Sequence, residues 1–162
     1  MTLEPVTRRL TAILAADVAG YGRLVGLDEE GTLARLKAHR LELIDPTIAA
    51  HRGRLVGTAG DSLLVEFASV VDALRCAAEI QRGMADRNGA EAAERRIAFR
   101  IGVNFGDVVS DGDDILGDGV NIAARLESIA EPGGICVSGR VHEEAAGKVA
   151  LTFEDIGEQR LK

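Results

Sequence analysis

The sequence predicts an α+β fold in which one β-sheet is covered by helices. Three observations support this class. Apolar runs of strand length alternate with stretches of helical period along all 162 residues. Two strand-like runs continue through a glycine-containing turn into a second strand, as in β-hairpins. No repeat, low-complexity stretch or linker divides the chain, so we expect one domain over residues 1–162.

The first strand is predicted at Leu10 to Val18, an almost continuous apolar run typical of a strand covered on both faces. Residues 1–8 before it have the character of a loose leader. Acidic residues 28–30 favour a helix start, because they complement the positive end of the helix dipole. Leucines and isoleucines follow at helical spacing, but Pro46 interrupts them, so we expect a kink or a break into two helices there.

A β-hairpin is predicted from Leu55 to Phe67, with the glycine-containing stretch 57–62 as the turn between its apolar runs. Gly60 lets the backbone approach a ligand closely, and Asp61 stands at the tip. An aspartate at such a tip is often only part of the turn, since Asp favours turns. Apolar residues then follow a helical period from Val70 and predict an amphipathic helix that ends near Gly89.

The second half of the chain continues to alternate between strand and helix patterns. Strict apolar alternation indicates strands, and glycine and proline residues indicate the turns between elements. The predicted elements are a strand over 97–103, a turn at Gly106, a partner strand from 108, an acidic loop over 111–114, a helix over 119–130, a short strand over 135–137, a helix over 140–146 and a last strand over 151–156.

The net charge of −7 and an aromatic content of 3% disfavour nucleic acid as a partner. A nucleic-acid surface needs clustered basic residues that displace counterions, and single strands need aromatic rings for stacking. A small polyanion held through a metal ion is compatible with an acidic chain.

Cys76 and Cys136 stand among apolar residues at a separation that fits no metal-binding pattern. We expect both to be core thiols in a reducing compartment. The sequence has no apolar stretch long enough to cross a membrane. It therefore predicts a cytoplasmic protein without direct membrane insertion.

Two aspartates stand beside glycines where strand patterns end. Asp17 closes the first predicted strand, and Asp61 lies in the hairpin turn. If the strand and the hairpin are neighbours, the two carboxylates converge at one edge of the sheet. Such a pair suits hard cations that also hold phosphate oxygens, and two ions can clamp the attacking and leaving oxygens of a phosphoryl transfer. Backbone N–H groups of residues 19–22 are candidates to face those phosphates.

Asn121 and Arg125 are spaced i, i+4 in a predicted helix, so they share one face. A polar pair of this kind is most often a surface pair. The alternative is a donor pair that orients a sugar and stabilises charge on a transferring phosphoryl group. Spacing alone leaves both interpretations open.

Three segments together resemble the motifs of class III nucleotidyl cyclases. Residues 116–127, Leu-Gly-Asp-Gly-Val-Asn-Ile-Ala-Ala-Arg-Leu-Glu, closely resemble the signature helix of that family. Residues 16–21, Ala-Asp-Val-Ala-Gly-Tyr, resemble its first metal-binding loop, and residues 60–62, Gly-Asp-Ser, resemble the second. The order and spacing of all three match the family, and the resemblance covers nearly the whole chain.

The resemblance implies a ferredoxin-like core with an elaborated, mostly antiparallel sheet covered by helices. It also implies a head-to-tail homodimer with active sites at the interface. Asp17, Asp61 and the Val18 carbonyl of one protomer would bind two Mg²⁺ or Mn²⁺ ions. Asn121 and Arg125 of the other protomer would position the ribose and stabilise the transition state.

The reaction implied by the resemblance is attack of the ribose 3′-oxygen of ATP on the α-phosphate, which gives cyclic AMP and pyrophosphate. Ala19, Gly20, Tyr21 and Gly60 would lie against the nucleotide. Lys162 falls where the family often places a phosphate-binding lysine. The fold of the family leads us to expect one more strand beyond Lys162, and members often carry further, regulatory domains.

The sequence departs from the family at one of the two base-reading positions. Asp114 fits the position that accepts a hydrogen bond from the adenine amino group, but Gly57 occupies the usual lysine position. Losing such a donor costs on the order of 1–3 kcal/mol of discrimination. Guanylate-specific members usually carry Glu and Cys at these two positions, so ATP is the expected substrate.

Gly57 motivates two alternatives to an adenylate cyclase. One is a degenerate domain that binds nucleotide or a partner without turnover, and the other is a cyclase that accepts GTP or is promiscuous. His39, His51 and His142 are scattered in sequence, and we expect each on a solvated helix face.

Overall fold

The structure is a computed structural model that describes residues 7–157, and it is organised around one six-stranded sheet. The strands are β1 Thr7–Val18, β2 Arg54–Ala59, β3 Ser62–Phe67, β4 Phe99–Asp111, β5 Asp114–Leu116 and β6 Ile135–Val137. The helices are α1 Tyr21–Leu27, α2 Glu29–His39, α3 Asp45–Ala50, α4 Val70–Asn88, α5 Asp118–Ile129 and α6 Gly139–Ala145. A π-helical turn, Arg40–Ile44, joins α2 to α3, and a 3₁₀ turn, Ala93–Arg95, precedes β4.

The strand order β2-β3-β1-β4-β5 places β1 in the middle of the sheet. β1 pairs antiparallel with both β3 and β4, while β6 runs parallel to the first part of β4. The succession from β1 through the β2–β3 hairpin and α4 to β4 is the βαββαβ arrangement of ferredoxin-like folds, extended here by β5 and β6. The predicted α+β class with a ferredoxin-like core and a mostly antiparallel sheet is confirmed.

Helices cover the two faces of the sheet unequally. Residues of α1–α4 and α6 pack on one face in the larger core cluster, which includes Leu14, Phe67 and Ile101. Only α5 contributes a helix to the smaller cluster on the other face, where Ile13 and Val108 are buried. We call this second, thinly covered surface the α5 face. Full burial of such side chains stabilises the fold by roughly 2 kcal/mol each.

α5 lies very close to β4 because glycines line the contact. A Cβ atom on Gly102 of β4 would lie 2.3 Å from the Glu127 nitrogen, and one on Gly119 of α5 would lie 2.5 Å from the Asp107 oxygen. Any larger residue would push the helix away from the sheet. The buried Asn104 side chain also donates from Nδ2 to the Gly119 oxygen at 3.1 Å. These contacts fix the helix that carries two of the predicted site residues.

The predicted turn at Gly106 is wrong. β4 runs through Gly106 without a break and pairs with β1 along nearly its whole length. Gly106 serves close packing instead, since a Cβ there would lie 3.4 Å from the Gly119 Cα. The chain reverses at Gly112, whose φ of 60° suits glycine, and Asp111 pairs with Asp114 across that turn.

The predicted last strand over 151–156 is also wrong, because residues 151–157 are not part of any strand among the described residues. Leu151 and Phe153 are half-buried against the larger core cluster, and the Phe153 ring meets the His142 ring edge-on at 5.1 Å between centroids. The alternation of apolar and polar residues in this segment reflects the burial of Leu151 and Phe153 on one side of it. It does not by itself supply a neighbouring strand to pair with.

The helical region before β2 is not broken into two separate helices at Pro46, because Ile44 and Asp45 keep right-handed helical backbone angles, but a π-helical turn interrupts the α-helical pattern next to the predicted kink or break. The π-helical turn ends at Ile44, and α3 begins at Asp45 with Pro46 in its first turn, where a missing N–H is tolerated. Asp28 caps α2 by accepting a hydrogen bond from the Gly31 N–H at 3.0 Å. The sequence pattern does not predict the short α1 that precedes this cap.

Two local expectations fail. The leader predicted over 1–8 is wrong for Thr7 and Arg8, which belong to β1, and residues 1–6 lie outside the described residues. His39 is buried rather than solvated, and its Nδ1 accepts a hydrogen bond from Arg87 Nε at 2.8 Å. Burial, together with the Arg87 charge, lowers the pKa of His39.

Cys76 is buried in α4, as predicted, and this burial raises the pKa of its thiol to about 12. Cys136 is only half-buried in β6. None of the helices within residues 7–157 combines the length and the apolar character that a membrane span requires.

Candidate active site

Asp61 stands at the tip of the β2–β3 hairpin, as predicted. The turn is shorter than the predicted stretch 57–62, because the strands pair as far as Ala59 and Ser62 and leave only Gly60 and Asp61 between them. Gly60 has a φ of 59°. The Asp61 Oδ2 atom accepts a hydrogen bond from the Val18 N–H at 3.0 Å. The turn is thereby held against the end of β1, where the first predicted metal ligands lie.

Asp17 lies beside Arg100 on the neighbouring strand β4. Arg100 Nε donates to Asp17 Oδ1 at 3.1 Å and Nη2 donates to Oδ2 at 3.0 Å, a bidentate pair. These hydrogen bonds, helped by the nearby acidic charges, raise the pKa of the Arg100 guanidinium. Both Asp17 oxygens are therefore engaged in this structure.

Glu127 of α5 is buried against the same pair, with Oε1 3.6 Å from Arg100 Nη2. Burial, which disfavours the charged form, raises the pKa of Glu127 to about 8, and the adjoining Asp17 carboxylate acts in the same direction. Asp17, Asp61, Arg100 and Glu127 thus form one cluster of ionisable side chains at the end of β1.

Glu127→Gln is expected to flatten the pH dependence of stability in metal-free protein. Because folding raises the pKa of Glu127, the folded state holds a proton that the unfolded state releases between about pH 4.3 and 8. Wild-type stability should therefore fall with rising pH over this window, by up to about 5 kcal/mol relative to Glu127→Gln, at about 1.36 kcal/mol per pH unit. Urea unfolding in chelator at several pH values measures this difference. The exposed Glu143→Gln is the matched control, and parallel curves for wild type and Glu127→Gln would contradict the assignment.

The donor set at the end of β1 fits hard divalent cations. Asp17 and Asp61 supply carboxylates and Val18 supplies a backbone carbonyl, the ligand types that Mg²⁺ and Mn²⁺ prefer. Within residues 7–157, His, Cys, Asp and Glu side chains do not gather in groups of three or more suited to a metal ion. Two carboxylates are enough where phosphate oxygens complete the coordination, as Mg²⁺ sites for nucleotides commonly do. The guanidinium of Arg100 uses one lone pair on each Asp17 oxygen, so an ion would bind the remaining lone pairs or displace the guanidinium.

Asn121 and Arg125 project from the exposed side of α5. Glu127 lies about 200° around the helix from Arg125, since each residue turns it by about 100°. The helix therefore buries Glu127 against Asp17 while pointing Asn121 and Arg125 away from that cluster. Among the described residues, neither of these two side chains is joined by a hydrogen bond or ion pair to Asp17 or Asp61.

The loop after β1 holds three more of the predicted nucleotide-binding residues. Gly20 has a φ of 65° and begins α1. The Ala19 N–H already donates to the Ala98 oxygen at 2.8 Å, so it is engaged within the fold. Tyr21 is half-buried against the larger core cluster. Within the described residues, the candidate donors that this loop leaves for a phosphate are the N–H groups of Gly20, Tyr21 and Gly22.

The two base-reading positions lie on strands that contact one another, β2 and β5. A Cβ atom on Gly57 would meet nothing within 4 Å, so this position opens to free space. Asp114 is exposed, and its Oδ1 accepts a hydrogen bond from the Ile115 N–H at 2.8 Å. Lys162 lies outside the described residues.

Arg100 and Glu127 are the two members of the cluster that the sequence patterns do not single out. The available signals were a charged residue inside the alternating strand Phe99 to Val103 and an acid beside Leu126 on the buried side of α5. Neither signal identifies a partner, because the pairing depends on the β1–β4 register and on the position of α5.

Comparison with known proteins places the chain in a family. Residues 7–162 match the model of the adenylate and guanylate cyclase catalytic domain. The chain is 44% identical over its full length to “Putative adenylate cyclase 3” of Rhizobium meliloti (strain 1021) and covers 28% of that protein. It is 35% identical over 145 residues, 87% of the chain, to adenylate cyclase of Streptomyces coelicolor, of which it covers 35%. The chain thus spans about a third of the length of these relatives.

Solved structures agree with the sequence matches. The adenylate/guanylate cyclase/hydrolase from Silicibacter pomeroyi superposes with a TM-score of 0.92 at 50% identity, over 98% of this chain and 92% of that one. The adenylyl cyclase CyaB from P. aeruginosa has a TM-score of 0.79 at 21% identity, over 90% and 84% of the two chains, which shows a common fold. The predicted cyclase catalytic domain, an enzyme of the lyase type, is confirmed at this level. The chain belongs to the adenylate and guanylate cyclase catalytic domain family.

Proposed function

We propose that this domain is an adenylate cyclase that converts ATP to 3′,5′-cyclic AMP and pyrophosphate at the interface of a head-to-tail homodimer. The observation that carries the proposal is that the two sets of predicted site residues lie on opposite sides of α5. One side of the helix faces the Asp17–Asp61 cluster, and the other presents Asn121 and Arg125 to solvent. Each chain then carries two incomplete half-sites, and a symmetric pair completes both.

The acidic half-site holds the metal ions and the polyphosphate. Asp17, Asp61 and the Val18 carbonyl would hold two Mg²⁺ or Mn²⁺ ions. When bound, the ions would supply positive charge at the attacking and leaving oxygens. Arg100, where an ion displaces it from Asp17, remains a cation beside the cluster and is placed to pair with a phosphate group or with Glu127. Gly20 and Gly60 let the backbone come close to the phosphates, and the Tyr21 N–H is a candidate donor to them.

The second half-site orients the reacting sugar. Asn121 and Arg125 of the other protomer lie one helical turn apart, so they reach one substrate together. The Asn121 amide positions the ribose, which brings its 3′-oxygen in line with the α-phosphate. The Arg125 guanidinium stabilises the negative charge that develops on the phosphoryl group as pyrophosphate leaves.

ATP is the proposed substrate because Asp114 can accept a hydrogen bond from the adenine amino group, whereas guanine presents an oxygen there. The names of the two curated relatives also support ATP. The mixed name of the Silicibacter pomeroyi protein leaves GTP as a competitor to be tested.

A second candidate is a domain that binds nucleotide without turnover. The observation that favours it is the bidentate Arg100–Asp17 pair, which engages both oxygens of one proposed metal ligand. This reading requires that Arg100 stay on Asp17 when nucleotide and metal are present.

Purified wild-type domain, at tens of micromolar to favour dimers, should form cyclic AMP from ATP and Mn²⁺, and form less cyclic GMP from GTP. Mass spectrometry of the products measures both rates, with Asp61→Asn protein as the blank. Nucleotide binding without any cyclic product would favour the second candidate. A cyclic GMP rate above the cyclic AMP rate would overturn the choice of substrate.

A further inference from the structure

Glu66 of β3 is a buried acid between two arginines on the α5 face of the sheet. Its side chain is 11% exposed, with Oε2 2.6 Å from Arg9 Nη2 on β1 and Oε1 3.5 Å from Arg54 Nη2 on β2. A buried carboxylate is stable only when it is paired, and two cations satisfy this need. The three charges link three adjacent strands.

Both arginines also grip the β4–β5 hairpin. Arg9 Nε donates to Ser110 Oγ at 2.9 Å, and Arg54 Nη1 donates to the Asp113 carbonyl oxygen at 2.8 Å. Ser110 and Asp113 flank the turn at Gly112, so the hairpin is held on both sides.

The hydrogen bond from Arg54 to Asp113 joins the two ends of the sheet. β2 and β5 are at opposite ends of the strand order, yet they are in contact, because the sheet curls over its α5 face. The Asp113 carbonyl that Arg54 holds belongs to the peptide unit that leads directly into Asp114. The hydrogen bond therefore holds the backbone from which the Asp114 side chain extends, and the Ile115 N–H holds the Oδ1 atom of that side chain at 2.8 Å.

We propose that Arg54, held in place by Glu66, is a positioning residue for purine selection that aims the Asp114 carboxylate at the amino group of adenine. Gly57, three residues after Arg54 on β2, offers no side chain to the base. The contribution of β2 to the choice between adenine and guanine would therefore come from Arg54, through Asp114. Arg54 does not touch the base. This inference rests on the proposed function, since it assumes that Asp114 reads the base.

Arg54→Ala should lower the ratio of kcat/KM for ATP to that for GTP by about five- to tenfold, the effect of losing one positioned hydrogen bond. The rate with GTP should change little. Arg54→Lys keeps a donor and should give an intermediate ratio. The exposed Arg82→Ala of α4 removes the same charge elsewhere and should leave the ratio unchanged.

A double-mutant cycle separates positioning from general stabilisation of the fold. In an Asp114→Asn background, Arg54→Ala should cause no further loss of selectivity, because its effect passes through the Asp114 carboxylate. An equal loss with ATP and GTP, or an undiminished effect of Arg54→Ala in the Asp114→Asn protein, would overturn the inference.

Equilibrium binding of ATP and GTP to the same variants separates this inference from the proposed turnover. If wild type binds ATP in preference to GTP in an Arg54-dependent way but forms no cyclic product, the inference stands and the proposed reaction fails. If wild type forms cyclic AMP and Arg54→Ala keeps its selectivity, only the inference fails. Wild type that binds neither nucleotide overturns both.

Discussion

Asp61→Asn is expected to reduce cyclic AMP formation by at least about 100-fold while leaving the fold intact, as removal of one charge-stabilising group typically does. Asn has the shape of Asp but lacks the negative charge that a divalent ion requires. Its amide oxygen can still accept the hydrogen bond from the Val18 N–H that fastens the turn to β1. The loss should therefore appear in turnover and not in the thermal unfolding midpoint.

The matched control for this variant is Asp86→Asn, which removes the same charge from an exposed position on α4. It should cyclise ATP at the wild-type rate. Turnover by Asp61→Asn within a fewfold of wild type would remove Asp61 from the metal site. A large drop in its unfolding midpoint would instead assign the residue a structural role.

Local sequence signals predicted the turn that carries Asp61 because that turn is a local structure. Gly60 supplies the positive φ, and the flanking apolar runs pair directly across it. The convergence of Asp17 and Asp61 needed only one assumption, that the first strand and the hairpin are neighbours, and the β1–β3 pairing confirms it.

Features that depend on distant residues could not be predicted in this way. Glycine is typical of turns, but Gly106 makes room for α5 inside a strand. The sequence pattern of a strand does not show which helix packs against it. His39 is buried beside α4, where Arg87, 48 residues later, donates a hydrogen bond to it. The engagement of Asp17 by Arg100, 83 residues away, follows from the β1–β4 register. This last pair engages a proposed metal ligand, and none of the three sequence motifs contains Arg100.

Mixing two inactive variants, Asp61→Asn and Arg125→Ala, is expected to restore cyclic AMP formation to about a quarter of the wild-type rate. If each active site takes its acidic half from one protomer and its Arg125 half from the other, a mixed dimer has one intact site of two. Random pairing of equal amounts gives about half mixed dimers, hence about a quarter of the sites. Arg125 is exposed on α5, so its truncation should leave the fold unchanged.

The mixing experiment tests whether Arg125 acts on the acidic cluster of its own chain or of the partner. Glu127, on the buried side of α5, packs against the acidic cluster of its own chain, so Arg125 on the opposite side points away from it. An Asp17→Asn and Asp61→Asn mixture is the matched control. Both substitutions damage the same half-site, so no mixed dimer contains an intact site and no activity should return. Activity regained in this control would contradict a shared site. So would a lack of activity in the Asp61→Asn and Arg125→Ala mixture when native mass spectrometry detects mixed dimers. Asn121 and Arg125 would then have to act at the same site as Asp17 and Asp61 of their own chain. Their position on the side of α5 away from these carboxylates argues against such a site.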